Sequence, residues 1–151
     1  MRVESRNGRN RIMFNFEKLE VWHKAIAFAD MVYELTGNFP SDERFGLTNQ
    51  MRRAAVSISS NLAEGTSRSS SSDYARFVEI ATGSLFEVVS QSTISRRRGF
   101  LSEDKYRSIY AAAEEQSRML SGLRASLLGY LREDDAPALN SQLSTLNTPP
   151  L

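Results

Sequence analysis

The stretch FPSDERFGLTNQMRRAAVSISSNLAEG, Phe39–Gly65, reads as a turn, a helix start, a helix and a helix stop. Pro40 cannot continue a preceding helix. Ser41 and Asp42 are N-cap residue types, and Asp42 and Glu43 suit the positive end of a helix dipole. Gly65 stands where a helix would end in a left-handed residue. Between these points Leu47, Met51, Ala54, Ala55, Ile58 and Leu62 recur at three- and four-residue steps, which places them on one apolar face of a helix.

The same helix carries a second stripe. At about 100° per residue, Gln50, Arg53, Ser57, Asn61 and Glu64 fall close together, well round from the apolar face. Its small side chains let another helix approach, and amides or charges buried by that approach need partners. Gln50, Ser57, Asn61 and Glu64 are therefore predicted to form a polar helix–helix seam. The alternative is a ligand or nucleic-acid surface centred on Arg52 and Arg53.

Outward from this helix, three more follow by the same periodicity. The spacing predicts a first helix over about Glu17–Thr36, with Leu19, Trp22, Ile26, Ala29 and Tyr33 as its core stripe and Gly37-Asn38 as its stop. Val21, Phe28 and Leu35 recur every seven residues on another face. With Val56, they are candidates for an oligomer interface. A third helix follows the polar loop Thr66–Ser72, capped by Ser71 or Ser72 ahead of Asp73. Its face is Tyr74, Phe77, Val78, Ala81, Leu85, Val88 and Val89, with Gly83-Ser84 suggesting a close crossing. A fourth starts at a Ser102 cap and presents Tyr106, Ile109, Tyr110, Ala113, Leu120, Leu127 and Leu131. Short connections favour antiparallel neighbours. The predicted fold is all-α: an antiparallel up-down-up-down four-helix bundle over residues 14–131. It is flanked by a flexible basic tail over 1–13 and a disordered, acidic, Pro-containing tail over 132–151.

The chain has 151 residues, 40% hydrophobic and 25% charged, a composition that suits one globular domain. It has no cysteine, which excludes disulfides, thiol chemistry and thiolate metal sites. No apolar run is long enough to span a membrane, and the start lacks the apolar segment of a secretory signal. A cytoplasmic protein is expected. A net charge of +1 gives no general pull toward nucleic acid, so a basic surface must be local. The densest basic cluster is Arg96, Arg97 and Arg98, a candidate phosphate site together with Arg52 and Arg53. The alternative is that these arginines complement a helix C-terminus. His23 is the single histidine. It supports neither a di-iron site nor a metal centre, and no nucleophile turn or glycine-rich phosphate loop is present. No enzyme activity, metal, cofactor or small-molecule substrate is expected.

Three segments carry a resemblance: FEKLEVWHKA (Phe16–Ala25), the Phe39–Gly65 stretch, and FVEIATGSLFEV (Phe77–Val88). They resemble the signature segments of the 23S ribosomal RNA intervening-sequence protein family, also called the four-helix-bundle protein family. The run with Arg52-Arg53, Ser57-Ile58, Asn61 and Ala63-Glu64-Gly65 is its most specific part. The resemblance spans roughly residues 14–130, and the family-like sequence begins at Met13-Phe14. It implies an antiparallel four-helix bundle that assembles as a homo-oligomeric ring, usually a pentamer. The family name records where some of its genes sit, not an activity. The chain departs from the family over Ser90–Leu101, SQSTISRRRGFL. Ser92, Ser95 and Arg96 fall there on a face that is otherwise apolar, so that end of the bundle is expected to be thin or frayed.

Two functions are carried forward from the sequence. The first is a non-enzymatic, nucleic-acid-associated scaffold that binds structured RNA. The alternative is a structural or protein-interaction ring with no nucleic-acid role.

Overall fold

The computed structural model describes residues 14–129, which are all-helical apart from turns. The two expected tails and Leu131 lie outside the described residues. A short 3-10 turn, Asn15–Lys18, leads into α1 (Glu20–Thr36). Then come α2 (Leu47–Thr66), α3 (Ser71–Arg97) and α4 (Glu103–Leu127). No strand occurs among the described residues.

Contacts run in opposite directions along consecutive helices. Ser95 of α3 lies 3.6 Å from the sulfur of Met51 at the start of α2, while Tyr74 at the start of α3 packs on Gly65 at the end of α2. Arg96 stacks on Tyr106 between α3 and α4, and Arg124 near the end of α4 reaches Glu79 on α3 at 2.6 Å. α4 closes onto α1, where buried Gln116 donates to the Val21 carbonyl at 3.2 Å. The described residues form an all-α bundle of four helices, as the sequence predicted.

The core is continuous. Leu19, Val21, Phe28, Met51, Ile58, Leu62, Val78, Leu85, Val88, Ile109, Leu120 and Leu123 are buried in it. Each large side chain fully buried is worth about 1.5–3 kcal/mol. The predicted apolar faces of α2 and α3 lie in this core, apart from the partly buried Leu47 and Val89. Among α4's predicted core residues, Tyr106 and Leu127 are half-buried and Tyr110 is exposed.

The face of α1 is a correction. The helix buries Val21, Ala25, Phe28, Val32 and Thr36, while Ile26 and Tyr33 of the predicted core stripe are exposed. Both stripes have helical spacing. The one that faces inward is the one that meets Gln116 of α4.

Three boundary features also differ from expectation. Ser41–Glu43 form a separate 3-10 turn, so neither Ser41 nor Asp42 caps α2. α3 is capped by Ser70, whose hydroxyl accepts from the Asp73 amide at 3.1 Å. The Ser102 cap forms as expected, accepting from the Lys105 amide. The anticipated fraying of α3 does not occur. Ser92 and Ser95 are buried, and their hydroxyls return to the carbonyls of Val88 and Gln91 one turn back, which satisfies them within the helix. Gly99, with φ of +79°, then makes the left-handed turn that α3 needs to stop.

No helix among the described residues is long and apolar enough to cross a membrane. No group of His, Asp or Glu residues among them is arranged to hold a metal.

Candidate nucleic-acid interface

The turn ahead of α2 is tightly specified. Glu43 accepts the Leu47 amide at 3.1 Å, so a side chain from outside the helix satisfies one of its free N-terminal donors. Gly46 lies beneath that carboxylate; a Cβ there would come 2.6 Å from the Glu43 Oε2. A side chain at 46 would therefore push the Glu43 carboxylate away from its place on the Leu47 amide. Phe45, just before it, projects outward and is 86% exposed, with Arg44 exposed beside it.

Adjacent arginines on α2 have different occupations. Arg52 Nε donates to Thr36 Oγ1 at 2.9 Å and Nη2 to the Tyr33 carbonyl at 3.4 Å. Its guanidinium lies 4.6 Å from the centre of the Tyr33 ring. Arg52 thus fastens the last turn of α1, where the negative end of the dipole favours a cation. Arg53 is exposed. It borders two grooves: one of about 700 Å³ shared with Tyr33, Arg44, Phe45 and Val56, and one of about 380 Å³ between α2 and α3 with Gln50, Ser84 and Gln91.

The 96–98 cluster divides in the same way. Arg96 lies 3.8 Å over the Tyr106 ring and 3.5 Å from Glu103, tying α3 to α4. Arg97 and Arg98 are exposed. The Met51–Ser95 contact and the Phe39–Phe100 ring pair, 5.9 Å apart, bring the end of α3 beside the start of α2. Arg44, Arg53, Arg97 and Arg98 therefore belong to one end of the bundle. Among the described residues none of them forms an ion pair.

A sequence profile of the 23S rRNA-intervening sequence proteins matches residues 17–122, which contain all of this site. The chain belongs to the 23S rRNA-intervening sequence protein family. The family fold is seen again in a crystal structure of a protein of unknown function from the S23 ribosomal protein family of Bacteroides thetaiotaomicron VPI-5482. It superposes with a TM-score of 0.62 at 22% identity, covering 69% of this chain and 97% of that one. At that identity the likeness is one of fold. No curated protein matches the chain.

In this intervening-sequence family member the predicted polar stripe divides. Ser57 shares a 2.8 Å hydrogen bond with Ser84 across α2 and α3, and Asn61 donates to the Ser57 carbonyl and hydroxyl at 2.8 and 3.0 Å. Gln50 is exposed at the groove. Glu64 is outside the seam: its side chain is 54% exposed and pairs with Arg68 in the loop that follows α2. The interface candidates divide too. Val21 and Phe28 are buried inside the chain and have no surface to offer a partner, because α1 turns that face to the core. Leu35 is half-buried, and Val56 is exposed beside Phe45 and Tyr33.

Sequence reasoning missed Arg44 and Phe45. The signal was present: an aromatic between an arginine and a glycine in a turn, on neither apolar stripe. It also missed the exposed apolar residues of α3, Ile80, Phe86 and Ile94, which lie off that helix's core stripe.

Proposed function

We propose that this family member is a non-catalytic, cytoplasmic, oligomeric scaffold that binds structured RNA through its phosphates. The observation that carries this reading is the collection of Arg44, Arg53, Arg97 and Arg98 at one end of the bundle, exposed and free of ion pairs among the described residues. An arginine already neutralised by a carboxylate gains little from a phosphate. An unpaired one can donate a bidentate hydrogen bond and release a condensed counterion from the RNA. Arg52 and Arg96 support the site indirectly, by holding the helix ends on which the free arginines sit.

Affinity for a folded RNA, measured across a salt series, tests the proposal. Binding should weaken steeply with salt, and replacing Arg53, Arg97 and Arg98 together by Ser should lower the logarithmic slope by about 3, roughly one for each phosphate no longer neutralised. Absence of binding at low salt would overturn it.

A second reading, the protein-interaction ring, is favoured by a different observation. Phe86 is 60% exposed, and Ile80, Ile94 and Tyr110 are exposed on the same two helices, α3 and α4. Phe86, Val89, Tyr110 and Ala113 line a cavity of about 360 Å³. Apolar surface of this kind is what a neighbouring subunit would cover, and the family resemblance implies a pentamer. A ring would repeat the arginine end once per subunit, so the two readings are compatible. A ring that ignores RNA at low salt would leave the interaction scaffold as the better account.

A further inference from the structure

Phe45 is 86% exposed, yet the turn that presents it is held by the Glu43 cap on the Leu47 amide. Tyr33 lines the same groove, half-exposed, with the Arg52 guanidinium 4.6 Å from its ring centre. Arg44 and Arg53 line it as well, and Asn49 adds an amide. Among the described residues no carboxylate lines this cavity of about 700 Å³. Two aromatic side chains among three guanidinium groups, with no acid among the described lining residues, suit a ligand that is both flat and anionic.

We infer that this groove takes an unpaired stretch of nucleic acid, with one base stacked on Phe45 and the adjoining phosphates on Arg44 and Arg53. The inference rests on the phosphate-binding reading above and narrows it to unpaired nucleotides. Within a duplex each base face is covered by its neighbours, so a protruding ring can stack only on a base that is splayed out. Stacking of this kind is tolerant of sequence because every base has a π-face. The Glu43–Leu47 cap holds the turn before the ligand arrives, so little ordering cost remains on binding. Arg52, also in the lining, contributes positive potential while its Nε and Nη2 donors stay on Thr36 and Tyr33.

Fluorescence anisotropy with the full chain at low salt tests this, using a short oligo(U) RNA, an oligo(dT) of equal length and a blunt RNA duplex. Both single strands should bind more tightly than the duplex. Phe45→Ala should weaken single-strand binding by roughly 5- to 150-fold while leaving the duplex unaffected. Phe45→Trp should keep the affinity, and its indole emission should be quenched by oligo(U). Phe45 is exposed, so an unchanged melting temperature for both variants separates binding from folding. If the duplex binds with a steep salt dependence and Phe45→Ala changes nothing, this inference falls and the phosphate reading stands. If no nucleic acid binds, both fall. If Phe45→Ala instead yields smaller particles, the ring belongs to a subunit contact and the groove is not a nucleotide site.

Discussion

Gly65 of α2 and Tyr74 of α3 meet so closely that a Cβ on Gly65 would lie 2.4 Å from Cδ2 of the tyrosine ring and 3.1 Å from Phe77 Cβ. Gly65 is buried within the last turn of α2 and is not a left-handed stop, as its place in the sequence suggested. Its missing side chain is what lets the α2–α3 hairpin close.

Gly65→Ala should therefore destabilise the fold. Overpacking a buried contact costs about 1–3 kcal/mol, and alanine's better helix propensity returns at most about 1 kcal/mol. The ring it strikes is itself buried, so packing wins. Gly83→Ala is the control, since a Cβ there meets nothing within 4 Å. It should stabilise by about 0.5–1 kcal/mol. Denaturant midpoints of the two variants should move in opposite directions; equal shifts would refute the close-approach account.

The Tyr74 hydroxyl is buried with no hydrogen-bond partner among the described protein atoms, and burial pushes its pKa upward. Above the ordinary tyrosine value of about 10, the unfolded chain releases this proton while the folded chain retains it. The folded state then binds more protons, so stability falls as pH rises, by up to about 1.4 kcal/mol per pH unit for this one group. Tyr74→Phe should be neutral or stabilising by about 1 kcal/mol at pH 7, because the unpartnered hydroxyl is removed. Its advantage over the natural protein should widen above pH 10. A constant difference from pH 8 to pH 11 would show that Tyr74 titrates normally.

Arg52 and Arg53 are adjacent and should separate cleanly. Arg52→Ala removes the hydrogen bonds to Thr36 and Tyr33 and should cost about 1–2 kcal/mol of stability, since hydrogen bonds from a charged donor are among the stronger ones. Arg53→Ala should stay within about 0.5 kcal/mol, as expected for a surface site, while weakening RNA binding. Thermal melts and binding isotherms on the same preparations check both. Equal loss of stability in the two variants would contradict their assigned roles.

Phe28 and Phe86 make a second contrasting pair. Phe28→Glu places a carboxylate in the core and should leave the chain unfolded by circular dichroism, because a buried unpaired charge costs several kcal/mol. Phe86→Glu should keep the helical signal and the monomer's stability. If α3 and α4 meet a neighbouring subunit, it should also reduce particle size in sedimentation. A natural protein that sediments as a monomer would remove the ring.

The polar stripe predicts a graded pair as well. Asn61→Leu removes the donor to Ser57 and should cost about 1 kcal/mol in urea unfolding. Glu64→Leu breaks only an exposed pair with Arg68 and should stay within about 1 kcal/mol, at the low end of that range.

The sequence alone determined the number of helices, their order and the buried faces of α2 and α3. Those are local quantities: periodicity sets a face, and Ser102 set a helix start through a bond to its own next turn. What tertiary structure decided was each choice between two locally equal options. α1 carries two stripes of helical spacing, and packing against the other helices selects Val21 and Phe28 for the core. Gly65 could end a helix or admit a neighbour, and the Tyr74 ring, from another helix, settled which. The arginines divide on the same ground. Arg52 and Arg96 are held by Thr36, Tyr33, Tyr106 and Glu103 from other helices, whereas Arg53, Arg97 and Arg98 meet no carboxylate among the described residues. A side chain's availability depends on which distant groups the fold brings within about 3–4 Å, and spacing along the chain carries no record of that distance.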